Sequence, residues 1–255
     1  MNLELNHALH EVARLNEPSA MAVKALPQVV HYLGADSGSL LLLAGDEVVH
    51  KVLANKESFT EVSNHKVRTV LSEGLAGWAL KHRQGGLASD TELDARWITI
   101  GGPPLIASAM VVPMLNRGQV VGLLSFHHGQ RGYFRELHLA RAAEVAQLLA
   151  PVFEVALMTE STMESLATLC MAANHPSAVL DWQGNIRVVN PPMAALDILW
   201  EGATLTQSLL PRELQIQSTM DCGWAGSRPL ATLPYAAISV PFRGAGVWIQ
   251  LLKIC

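Results

Sequence analysis

The chain is poor in charge: Asp, Glu, Lys and Arg make up 16% of its 255 residues while 50% are hydrophobic, against about 25% charged in an ordinary globular chain. A surface with so few charges is expected to have part of its apolar exterior covered by a partner. The net charge of −4 and pI near 6.2, with basic residues scattered along the chain, exclude a general phosphate-binding face, because nucleic-acid binders carry a basic stripe or patch. Cysteine is scarce. The three present, Cys170, Cys222 and Cys255, are odd in number and far apart, which suits reduced thiols rather than a disulfide framework. No run approaches the roughly 20 apolar residues that a bilayer crossing needs; the most apolar stretch, Pro104 to Leu115, is broken by Ser108 and Pro113 and reads as a buried strand. The start, Met1-Asn2-Leu3-Glu4, has neither the basic nor the apolar region of a secretory leader. A cytoplasmic location without membrane insertion or nucleic-acid binding is the expectation.

Catalytic signatures are missing too. There is no G-x-S-x-G elbow, no phosphate-cradling glycine loop ending in Lys-Ser or Lys-Thr and no dinucleotide fingerprint, and no nucleophile, base and orienting group can be assembled from the residues. Metal-binding spacing is also absent. His7 and His10 share a helical face but lack a nearby third ligand. His127 and His128 are neighbours at a strand end, so their side chains point to opposite faces and cannot share a metal. Asp90, Glu92 and Asp94 imitate the start of a calcium loop, yet Ala95 stands where glycine is required and Gly101 where a bidentate glutamate belongs. The expectation is therefore a protein that is not an enzyme, with no metal.

What is present divides into two domains' worth of chain. Apolar residues from Leu3 to Leu33 keep helical spacing with a break at Asn16 to Ser19, which predicts two helices; Pro18 fits a first turn, while Pro27 predicts a kink. Ser39–Leu43 and Val48–Leu53 predict a hairpin, Val62–Leu71 and Ala76–His82 two short helices, and Gly86–Ala88 a short strand. Ser89 to Pro104 has the polar, aromatic and Gly-Pro character of an excursion over the domain. Leu105–Met114 and Val120–Phe126, joined by Asn116-Arg117-Gly118-Gln119, are nearly continuous in apolar residues and predict central strands. From Phe134 to about Ala173 a three-four apolar spacing predicts a long helix, with a kink or fresh start at Pro151. After His175-Pro176 come a hairpin (Ser177–Asp181 and Ile186–Val189), a short helix from Pro191 to about Leu199, a partly helical stretch Gln207–Gln217, and strands over Leu230–Leu233, Ala236–Phe242 and Val247–Ile254.

Three patterns in order, Glu73-Gly74-Leu75-Ala76-Gly77-Trp78-Ala79-Leu80, Asp90-Thr91-Glu92-Leu93-Asp94-Ala95-Arg96-Trp97, and Val112-Pro113-Met114-Leu115-Asn116-Arg117-Gly118-Gln119-Val120-Val121-Gly122-Leu123-Leu124, resemble the GAF family over roughly residues 1 to 157. The stretch Pro176-Ser177-Ala178-Val179-Leu180-Asp181-Trp182-Gln183-Gly184-Asn185-Ile186-Arg187-Val188-Val189-Asn190 resembles the opening of a PAS domain, although residues 174 to 255 are few for that family. Together these resemblances imply an α/β (α+β) chain: a GAF-like domain over 1–157, a linking helix over 158–173 and a short PAS-like domain over 174–255.

The GAF resemblance implies a ligand site between the sheet and the excursion, with Trp78, Asp90, Asp94, Arg96, Trp97 and Ser108 at the matching positions. They offer aromatic walls, charge and a hydroxyl, the usual mixture of a pocket. The alternative is that both tryptophans fill the core and Asp94 and Arg96 form a surface ion pair. Free methionine sulfoxide reductase is an enzyme class resembling a lone GAF domain, and its chemistry needs pocket thiolates; with no cysteine before Cys170, the resemblance implies that this activity is lacking. Covalent bilin and LOV-type flavin chemistry are not implied either, leaving the ligand unidentified.

The long helix implies more. Leu149, Phe153, Ala156, Met163, Ala167 and Cys170 are expected to form a homodimer interface, since the seam outlasts what one small domain requires; the competing reading is that Leu139 to Phe153 packs on the chain's own GAF sheet and only Met163 to Cys170 touches anything else. The implied function is a sensor or adaptor that binds a small ligand, a partner protein or both, and signals through protein contact. The alternative is a ligand-free structural subunit of a larger assembly.

Overall fold

The computed structural model describes residues 3–15, 17–45, 47–55, 64–98, 106–181, 183–196, 226–229, 235–242 and 246–253. The chain divides into two compact units, Met1–Leu157 and Met158–Cys255.

The first unit opens with α1 (Leu3–Val12) and α2 (Pro18–Leu33). Pro18 occupies the first turn, where its missing N–H leaves no bond unmade, and Gly34 in the left-handed region (φ 64°) ends the helix by donating to the His31 and Val30 carbonyls. Pro27 stays inside α2, which runs on as one helix. β1 (Ser37–Ala44) and β2 (Glu47–Asn55) follow, then α3 (Asn64–Glu73), α4 (Leu75–His82), β3 (Gly86–Ala88), β4 (Ser108–Asn116) and β5 (Gln119–His128). All neighbours are antiparallel, in the order β2-β1-β5-β4-β3. The β4–β5 turn needs Arg117 and Gly118 at φ 48° and 79°, the two-residue turn whose twist matches that of the strands.

Strand alternation sorts the side chains onto two faces. Leu40, Leu42, Met110, Val112, Met114, Leu124 and Phe126 form one core with α1, α2 and the helix that follows β5. Leu41, Ala88, Ala109, Val111 and Leu123 form a second core with Leu75, Ala76 and Ala79 of α3–α4's side. Burial on both faces is why β4 and β5 read as unbroken apolar runs.

α5 (Glu136–Ala172) is 37 residues long and begins in the first unit. It is the one helix among the described residues long and apolar enough, by length and composition, to cross a bilayer; it gives residues to the cores of both units, while Leu137, Leu148, Val155, Met158, Leu169 and Met171 are exposed. It continues through Pro151 as one helix, so of the two expectations the fresh start does not occur. Pro151 lies on the exposed side, where hydration compensates the missing helix bond.

In the second unit β6 (Ser177–Asp181), β7 (Ile186–Val189), α6 (Pro191–Ala194), β8 (Gly226–Pro229), β9 (Tyr235–Phe242) and β10 (Gly246–Lys253) form an antiparallel sheet ordered β7-β6-β10-β9-β8. Counted within each sheet, both orders are 2-1-5-4-3. Buried Asp181 closes the first hairpin by accepting from the Gln183 and Asn185 N–H groups (3.0 and 2.9 Å), Asn185 Nδ2 and Arg187 Nε. Strand β8 precedes the predicted 230–233, which lie outside the described residues, as do 197–199, 207–217, Cys222 and Cys255.

The expected dimer seam requires correction. Leu149, Phe153 and Ala156 are buried in the first unit's own core, and Met163 and Cys170 pack with Leu166, Val179 and Trp248 in the second. Ala167 is half-buried. A three-four spacing marks an apolar face but does not say what covers it, and here each unit's sheet does.

Candidate ligand site on the second face of the first sheet

The site is assembled around α4. Gly86 of β3 admits this helix closely: a Cβ there would lie 2.7 Å from Leu75 Cδ1 and 3.3 Å from Trp78 Cε3. Trp78 is thereby set against the sheet edge, with its ring 4.7 Å from that of His82. Over Trp78 sits the Arg96 guanidinium, Cζ 4.7 Å from the ring centroid, a cation–π contact.

Arg96 is held by the excursion itself. Its backbone N–H and Nε donate to Asp94 Oδ1 (2.9 and 3.0 Å), and Nη2 donates to Asp94 Oδ2 (2.7 Å) and to the Leu87 carbonyl of β3 (3.0 Å). The side-chain hydrogen bond from Arg96, opposed by desolvation, holds the Asp94 carboxyl below its ordinary value, and the same bond raises Arg96. Trp97 donates its backbone N–H to the Asp94 carbonyl (2.9 Å), packs into the second core and presents its ring edge-on to His127 at 5.8 Å. Trp78, Asp94, Arg96 and Trp97 are thus brought together.

Asp90 and Ser108 are not part of that group. Asp90 accepts from the Glu92 N–H (3.0 Å) and from Arg131 (3.0 Å), and Arg131 also pairs with Glu92, which raises the Arg131 pKa. These are ties to the β5–α5 loop. Ser108 shares strand parity with Met110, Val112 and Met114, on the face away from Trp78; its hydroxyl donates to the Ala88 carbonyl and accepts from the Phe134 N–H, both at 3.3 Å. The excursion is anchored by Thr91, whose hydroxyl donates to the Ile106 carbonyl (2.6 Å) and whose N–H donates to that of Ala107 (3.1 Å). Residues 99–105, including Gly101, lie outside the described residues, and among those described no three His, Cys, Asp or Glu side chains gather as a metal site.

Sequence reasoning missed His127. It is more than a strand-end residue: it projects on the Trp97 side, opposite Ser37, with Ser37 Oγ 3.3 Å from its Nδ1. Burial pushes its pKa down to about 4, so the imidazole is neutral near pH 7. The available signal was period two: Ser37-x-Ser39 and Ser125-x-His127 set polar residues on one face of otherwise apolar strands.

The fold resembles solved structures. A free methionine-R-sulfoxide reductase from Neisseria meningitidis, in complex with its substrate, aligns with TM-score 0.50 and 19% identity over 60% of this chain and 88% of its own. The GAF domain of an Acinetobacter phosphoenolpyruvate-protein phosphotransferase aligns at 0.46 and 19% (62% and 97%), and that of the Coxiella burnetii counterpart at 0.49 and 18% (62% and 94%). No curated protein matches the chain. The reductase overturns the expectation that the chain is not an enzyme: this fold carries catalysis in a protein that the chain resembles, so missing catalytic motifs do not exclude activity. Finally, the GAF-domain family model matches residues 16–154, more than half of the chain and the same stretch that builds the first sheet and its lid, so this chain belongs to the GAF domain family.

Proposed function

We propose that this protein is a sensor or adaptor whose GAF unit takes a small ligand between the excursion and the sheet, and whose response is delivered by contact with another protein. One observation carries the reading: Trp97 meets His127 edge-on over a sheet face on which Ser37, Ser39 and His127 remain partly accessible, with the Trp78–Arg96–Asp94 group on the same side at the β3 edge. Aromatic walls with a few convergent polar groups are the ordinary make-up of a ligand pocket.

The second unit is read as a short PAS-like domain. Supporting this are the 2-1-5-4-3 strand order, the opening hairpin turning at Gly184 (φ 81°) and the helix that follows it. A protein partner is suggested by the scarcity of charge. Self-association is assigned to the outward side of α5, where Leu148, Val155, Met158 and Leu169 are exposed.

Native mass spectrometry of the protein purified from its own host tests the reading. A retained small molecule, lost on replacing Trp97 by alanine, is the expected result. A stoichiometric multiprotein complex with no small molecule would instead make the chain a structural subunit.

A further inference from the structure

β1 and β5 are the second and third strands of five, the middle of the first sheet. On the face towards α1, α2 and α5 they contribute Gly38, Leu40, Leu42, Leu124 and Phe126, all buried. On the other face Ser37 stands directly opposite His127 and Ser39 directly opposite Ser125. Four polar side chains therefore form a square on the two middle strands, at the end where β1 begins and β5 finishes, beside the apolar rung Leu41–Leu123.

Such a square is costly to bury unless its hydrogen bonds are made. Among the described residues one internal bond is present, between Ser37 Oγ and His127 Nδ1. Ser125 is buried, whereas Ser37, Ser39 and His127 keep accessible surface. Trp97 borders the square edge-on.

Charge is the second observation. The roof's cation, Arg96, is matched by Asp94 in a two-point pair. The cation on this face of β2, Lys51, stands opposite Leu41, one rung beyond the square. Among the described residues the cations placed on this face are thus Arg96, already matched, and Lys51, a rung away, so a carboxylate or phosphate held at the square would leave water without a directly apposed countercharge, which is unfavourable. Hydroxyls and a neutral imidazole, by contrast, each donate and accept, matching a group that carries N–H and C=O side by side.

Resting on the ligand-binding reading above, we infer that Ser37, Ser39, Ser125 and His127 form the recognition floor for an uncharged small molecule of the amide, lactam or nucleobase type. The floor selects by hydrogen bonding, with Trp97 as its aromatic border.

Matched probes test this in the full chain, 15N-labelled and followed by NMR: nicotinamide against nicotinate, and uracil against orotate. The neutral member of each pair is expected to shift the His127 ring and Trp97 indole signals and to bind at least about tenfold more tightly than its carboxylate. Ser39→Val is expected to abolish that shift while the rest of the spectrum stays native. Equal or tighter binding of the carboxylates at these residues would overturn the proposed ligand class and leave the pocket standing. No perturbation by any probe would sink both the class and the pocket. Neutral binding that survives Ser39→Val and His127→Gln would place the ligand elsewhere and overturn the floor.

Discussion

Ser108 and Phe134, 26 positions apart, are joined by a hydrogen bond from the Phe134 N–H to the Ser108 hydroxyl, which itself donates to the Ala88 carbonyl. One buried side chain thus ties the end of β3, just before the excursion, to the residue two positions ahead of α5. Ser108→Ala leaves a buried donor and a buried acceptor unpaired, and about 1–3 kcal/mol of stability should be lost. Chemical denaturation checks it; an unchanged midpoint would mean that other groups satisfy both.

Phe153 and Val155 are two residues apart on α5 yet answer to different surroundings. Phe153 is fully buried and Val155 is 63% exposed. Phe153→Ala should cost about 3–5 kcal/mol through the cavity it leaves. Val155→Glu, paired with Met158→Glu, should shift the unfolding midpoint little and convert a self-associated species to monomer in light scattering. Persistence of the larger species would remove the outward face of α5 from the interface.

His127 makes stability depend on pH. Its folded pKa of about 4 lies below the ordinary 6.5, so the unfolded chain binds more protons between those values. The neutral form's contribution is full above pH 6.5 and is lost progressively as pH falls towards 4, by at most ~3 kcal/mol. Denaturation midpoints of the protein and of His127→Gln should converge over that range as pH is lowered. Parallel curves would show that the ring is solvated.

Asn190 is the corresponding centre of the second unit. Its Oδ1 accepts from the Ser177 and Met193 N–H groups (2.8 and 3.1 Å), capping α6, and its Nδ2 donates to the Ala173 and His175 carbonyls (3.0 and 2.8 Å). Asn190→Ala should destabilise by ~2 kcal/mol or more, and Asn190→Asp, which keeps the capping acceptor but sets a buried carboxylate oxygen against the Ala173 and His175 carbonyls, by at least as much. Hydrogen exchange at Ser177 and Met193 distinguishes them; equal exchange in both variants would show that the capping bonds are not formed.

Much of the first unit was legible along the chain. Two N-terminal helices, the β1–β2 and β4–β5 hairpins and the excursion follow from periods of 3.6 and 2 and from turn residues such as Gly118. Helix continuity was legible through Pro27 but open at Pro151 between a kink and a fresh start, because a proline's effect depends on whether water or neighbours compensate the lost bond. The GAF patterns led to Trp78, Asp94, Arg96 and Trp97, which the fold gathers, but also to Ser108, which alternation turns to the other face.

The sequence by itself determined which residues alternate, where turns fall and that an apolar stripe runs the length of α5, because these are local properties of spacing and backbone sterics. Only the tertiary structure decided which face of each strand meets the excursion, that His127 rather than Ser108 stands beneath Trp97, and that Phe153 meets its own sheet. Those outcomes rest on strand register and on contacts between residues tens of positions apart, where a shift of one residue reverses every side chain.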